Sequence, residues 1–110
     1  MGYYTYYRLS IIKGTKTEKQ NLALIAEFRA ESEDARHALT EEGYSDNASK
    51  WYSRVNELIK FSMKYPKVVF ELYGEGENPT DIWCEYYKNG KLQREVARIT
   101  IDNFDPKKLK

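Results

Sequence analysis

His37 and Cys84 are the single histidine and the single cysteine of the chain. Together they cannot form a tetrahedral zinc set, which draws on four nitrogen and sulfur ligands. A nucleophilic Cys–His pair would need an exposed thiol in an electropositive setting beside its base. Cys84 falls in the middle of an expected strand, next to Trp83, where it reads as a small hydrophobe. His37 reads as an ordinary surface or edge residue. Glu75, Glu77 and Asp81 offer oxygen ligands to a hard cation, but they lack the EF-hand spacing and its terminal bidentate glutamate. Glu71, Glu75, Glu77 and Glu85 lie close in sequence, and paired-carboxylate chemistry needs two such groups at a set separation in a cleft. Nothing in the spacing selects a pair, so a small hydrolase is the weakest functional expectation. Gly74-Glu75-Gly76 fails as a phosphate loop, because glutamates fill it and a strand follows where a helix N-terminus is required. The expectation is a protein that is not an enzyme, with no catalytic residues, no metal and no cofactor.

Binding chemistry is better represented. The chain has ten tyrosines in 110 residues, and tyrosine joins a large apolar body to a polar tip. Tyr4, Tyr6 and Arg8 alternate along one face of an expected N-terminal strand, a pattern that can stack bases on a sheet. The aromatic signature of an RNA-recognition strand is missing, and the lysines are scattered. A net charge of +1 removes the simplest electrostatic argument for a nucleic-acid binder. The acidic loop of Glu75, Glu77 and Asp81 is a second candidate surface, suited to a basic protein partner.

The elements that position these residues follow from pattern. Tyr3 to Ile12 alternates, with Tyr3, Thr5, Tyr7, Leu9 and Ile11 on the core face. Thr17 is the expected cap of a helix running to about Ser32, with Leu24, Ile25 and Phe28 on its apolar stripe. Residues 35–40 read as a short edge strand or a helical extension, and 42–47 as a loop. A second helix starts between Ser49 and Arg54, carries Val55, Leu58, Ile59 and Ser62, and stops at Pro66. Strands are expected over Lys67–Tyr73 and Ile82–Lys88, with Gly74–Asp81 a loop between them. Asn89-Gly90 signals a two-residue hairpin, returning along Lys91 to about Ile101. That register sets Trp83 opposite Val96, Glu85 opposite Arg94 and Tyr87 opposite Leu92, and Phe104 is expected to anchor the end.

The segment from Trp51 to Lys91 resembles small proteins of phages, plasmids and integrated elements. The resemblance rests on Lys50-Trp51-Tyr52, Ser62-Met63-Lys64-Tyr65-Pro66, Phe70-Glu71-Leu72-Tyr73-Gly74-Glu75 and Tyr87-Lys88-Asn89-Gly90-Lys91. It is similar to the YubB/Api92 ferredoxin-like group over about a third to half of the chain. The resemblance implies a mobile-element accessory protein that acts by binding a host or phage protein, including defence nucleases.

The expected fold is α+β: a two-layer sandwich of two helices on a mostly antiparallel sheet of four to five strands, with a ferredoxin-like arrangement as one form of it. A single domain spans residues 1–104, with a solvated tail at 105–110. The expected function is a non-enzymatic protein-binding module, an inhibitor of a host defence system such as CRISPR–Cas. The alternative is a single-stranded nucleic-acid-binding domain that uses its aromatic sheet face. The single cysteine and the lack of a long apolar run set the expectation of a cytoplasmic protein without membrane contact. A homodimer, formed through an exposed sheet face or edge across a two-fold axis, is a further expectation.

Overall fold

A computed structural model describes residues 3–110; Met1 and Gly2, the start of the expected domain, lie outside the described residues. Strand β1 (Thr5–Lys13) is followed by helices α1 (Glu18–Glu31), α2 (Glu33–Ala38) and α3 (Arg54–Lys64). Strands β2 (Val69–Gly76), β3 (Ile82–Lys88) and β4 (Lys91–Val96) complete a four-stranded antiparallel sheet in the order β1-β2-β3-β4. This is the expected α+β architecture. Its connectivity is that of a meander whose first hairpin, β1 to β2, carries all three helices as an insertion. A ferredoxin-like arrangement interleaves its helices as β-α-β-β-α-β, and the order seen here differs from it in this respect.

Local chemistry accounts for each boundary. Thr17 is extended and its hydroxyl accepts from the Gln20 amide at 3.1 Å, starting α1. Ser32 is a single extended residue between two helices. It ends α1 and caps α2, accepting from the Ala35 amide at 3.0 Å, so residues 33–38 turn back as a short helix. The residues expected as an edge strand or helical extension thus belong largely to α2. Ser53 takes the capping position of α3, although its hydroxyl bonds to Glu57 and not to a backbone amide. Pro66 follows Tyr65, where α3 ends, as expected. Asn89 (φ 47°) and Gly90 (φ 78°) both adopt the left-handed conformation that a tight primed hairpin turn requires. The three cross-strand pairs expected from that turn are all present.

Strands β1 and β2 begin at Thr5 and Val69, two residues later than expected, and two strands end several residues away from expectation. Strand β2 continues through Gly74 and Glu75 to Gly76, because β1 offers Tyr7, Tyr6 and Thr5 as partners. Strand β4 stops at Val96 instead of near Ile101, because β3 begins at Ile82 and offers no backbone beyond it. Phe104, expected as an anchor, is 77% exposed. The chain past Ala97 leaves the sheet, and the Cα radius of gyration is 16.7 Å, well above the roughly 13 Å of a compact domain near this size.

The core lies between one sheet face and the helices. Tyr7, Leu9, Phe70, Leu72, Trp83 and Tyr87 face Ile25, Phe28, Leu58 and Phe61. Trp51, just before α3, is 1% exposed and edges against Tyr7 at 5.4 Å between ring centroids. Gly74 belongs here because the Trp83 indole lies over the position a β-carbon would take. The outer edge of β1 is covered by residues 43–49. Ser45 donates its amide to the Tyr7 carbonyl, and Thr5 and Ser49 exchange two backbone bonds. No helix among the described residues is long and apolar enough to cross a membrane.

Candidate functional site

With all helices on one face, the other face of the sheet is left open, and strand pairing decides what it displays. Tyr6, Glu75 and Ile82 form one cross-strand row. Arg8, Tyr73, Cys84 and Glu95 form the next, followed by Ser10, Glu71, Tyr86 and Gln93. Tyr4 precedes this face, with the Lys50 ammonium 5.1 Å from its ring centroid. The Arg8 guanidinium stands 5.0 Å from the Tyr73 ring centroid, within cation–π range. Tyr6 is 50% exposed.

The tyrosine face and the acidic loop, two separate candidates in the sequence, are therefore neighbours. Glu75 is not in a loop; it lies in β2 directly across from Tyr6. Its carboxylate accepts from the Tyr73 hydroxyl at 2.5 Å. That bond, with some burial, raises the Tyr73 phenol above its ordinary value, so it remains a donor at neutral pH. Glu77 and Asp81 bound a short turn at the same end of the sheet. The Gly76 amide donates to the Asp81 carbonyl at 2.8 Å, and the Asp81 amide to the Asn78 carbonyl at 2.9 Å. Tyr3 clasps this turn, donating its hydroxyl to Asp81 Oδ2 at 2.8 Å and accepting from the Asn78 amide at 3.0 Å. Tyr4, Tyr6, Arg8 and Glu75 thus share one surface with Glu77 at its end, whereas the Asp81 carboxylate sits with Tyr3 where a Gly76 β-carbon would point, on the helix side of the sheet. Tyr73 and Tyr86 also belong to the open face. Period-two alternation marks Tyr73 as facing with Glu71 and Glu75, but only the strand pairing shows that Tyr73 stands beside Arg8 and Tyr86 beside Glu71.

The carboxylates considered for paired chemistry do not converge. Glu85 points to the opposite face from Glu71 and Glu75 and is fully buried beneath α3. It accepts from Arg54 Nε at 3.1 Å and Nη2 at 3.0 Å, from the Tyr87 hydroxyl at 2.7 Å, and from Arg94. Both guanidiniums also lie against the Trp83 ring, at 4.5 and 4.8 Å from its centroid. These contacts fully engage the carboxylate in holding α3, β3 and β4 together. Cys84 is half-buried on the open face. His37 is exposed on α2 near Glu33, at 3.8 Å. Among the described residues, no cluster of three or more histidine, cysteine, aspartate or glutamate side chains could hold a metal ion. Comparisons with family models, curated proteins and solved structures return no match.

Proposed function

We propose that this protein is a non-enzymatic binding module that engages a partner protein through the open face of its sheet. The observation that carries this reading is the open face that sets Tyr6, Tyr73 and Arg8 beside Glu75, with the acidic turn at the end of the sheet. Tyrosine supplies contact area with a polar tip and is enriched at protein interfaces. Here tyrosines hold carboxylates in place, which lowers the ordering cost of presenting them to a basic partner. The resemblance to accessory proteins of phages and mobile elements supports a partner among host or phage proteins. A nuclease of a host defence system such as CRISPR–Cas has the kind of basic surface that this face complements. The charge on the three central rows weighs against the nucleic-acid alternative. Glu71, Glu75 and Glu95 stand there with Arg8, whereas single-strand binders combine aromatic platforms with a positive groove.

The test is capture from host lysate with the tagged protein, before and after nuclease digestion, in parallel with the triple variant E75K/E77K/D81K. A protein retained after digestion by the native chain, and lost by the variant, supports the reading. Material released by digestion, with affinity falling steeply as salt rises, would transfer the assignment to nucleic acid and to Tyr4, Tyr6 and Arg8.

A further inference from the structure

The two edges of the sheet are treated differently. The β1 edge is sealed by residues 43–49 of the same chain. Among the described residues no segment bonds to the outer edge of β4, and all six of its residues are exposed. Antiparallel ladders alternate, so every second residue turns its backbone groups toward the neighbouring strand. Ala97 donates its amide to the Ile82 carbonyl at 2.8 Å, so by this alternation Lys91, Gln93 and Glu95 bond to β3. Leu92, Arg94 and Val96 turn their N–H and C=O groups outward, a row of unpaired groups that can accept another strand.

We propose that the occupant of this edge is β4 of a second copy, paired antiparallel about a two-fold axis through Gln93. The charge pattern of the strand selects both the partner and the register. In this register Lys91 lies opposite Glu95 of the second copy, and the symmetry repeats the pair. These residues occupy non-hydrogen-bonded positions across the new ladder, where side chains are closest. Leu92 and Arg94 of the two copies then exchange backbone bonds. Shifting the axis to Arg94 or to Glu95 would set like charges against each other at the centre. The sequence Lys-Leu-Gln-Arg-Glu is thus self-complementary in one register. The chain past Ala97, with Ile99, Ile101 and Phe104 exposed, overhangs its own sheet. In the dimer it passes the second copy's Asn89-Gly90 turn, beside which Met63 is 59% exposed. A two-fold axis perpendicular to the sheet leaves both open faces on the same side, so the dimer would be a bivalent form of the module whatever that face binds.

The experiment is sedimentation equilibrium of the full chain up to about 1 mM, for the native protein, K91E and the double swap K91E/E95K. All changed side chains are exposed, so the fold is not at stake. The expected result is a native dimer weakened roughly tenfold or more by K91E, which sets like charges opposite in both symmetric pairs, and restored by the double swap. In a C84S background, Q93C is expected to form an intermolecular disulfide on mild oxidation, since non-hydrogen-bonded neighbours fall within disulfide reach. A protein that stays monomeric throughout, or a dimer indifferent to K91E and unlinked at position 93, would overturn the proposal.

Discussion

Glu85 has the heaviest structural duty of any ionisable side chain in the fold. It is buried, and two of its donors, Arg54 and Tyr87, are largely buried with it and would be stranded if the carboxylate were lost, whereas Arg94 reaches it from the exposed strand β4. Removing one partner of a buried pair leaves an uncompensated charge. Glu85→Gln keeps the volume but leaves two guanidiniums without their counter-charge, and is expected to cost about 2–4 kcal/mol, read as a lower urea midpoint at unchanged slope. Tyr87 and Tyr7 respond to the same burial. Burial, with the bond to Glu85 next, pushes the Tyr87 phenol up; burial is also the leading cause for Tyr7. Both groups resist ionisation in the fold more than in the unfolded chain. Their contribution to stability is therefore complete below pH ~10 and is lost as pH rises beyond it. Alkaline titration should show part of the tyrosinate absorbance appearing together with unfolding, as followed by tryptophan fluorescence. A tyrosinate signal complete before any loss of structure would contradict this.

The edge segment over 43–49 is the least conventional element, since most of it forms bridges and turns instead of a strand. Ser45 is its pin. Its hydroxyl accepts from the Tyr7 amide at 2.8 Å and donates to the Ala38 carbonyl at 2.6 Å, tying β1 to the end of α2. Ser45→Ala would leave two partly buried backbone groups without partners, each costing about 1–3 kcal/mol if water cannot reach it. The expected signature is local: faster amide exchange in β1 and in residues 40–49, with β3 and β4 less affected. Uniform loss of protection across the sheet would mean that the segment is part of the global unfolding unit. The same reasoning explains why β4 needs no such pin only if something else meets its edge, and links the open edge to the self-complementary charges along it.

Across the molecule, the core and the open face lie on opposite sides of one sheet. The helix-side face holds the aromatic core and the Glu85 network, whereas no other element among the described residues packs on the open face. Tyr6→Ser and Arg8→Ser should therefore shift the unfolding free energy by no more than about 0.5 kcal/mol. If the open face is the docking surface, the same changes should weaken partner capture by tenfold or more, as interface tyrosines and arginines often do. Thermal melts alongside capture assays would separate the two effects. A large melting shift with unchanged capture would assign these side chains to folding.

Much of the secondary structure was legible because its causes are local. Thr17, Pro66 and the Asn89-Gly90 turn act on their own neighbours, and the hairpin register follows from turn length together with side-chain alternation. The core face of β1 was legible for the same reason from Thr5 onward, whereas Tyr3, assigned to it by alternation, precedes the strand and is 42% exposed. The long insertion was harder to read, because Ser32 interrupts the helix with one residue, and residues 43–49 adopt their conformation through bonds to β1 and to the end of α2. The extent of β2 and the early end of β4 likewise depend on where a neighbouring strand supplies backbone groups. The six candidate contact residues were identified as two separate surfaces, and alternation alone shows on which side of its own strand each residue falls. The placing of Glu75 beside Tyr6 on the face of Arg8, and the separation of Asp81 and Glu85 from that face, follow from which strands lie side by side. Hydrogen bonding between segments distant in sequence decides that, and no local pattern encodes it.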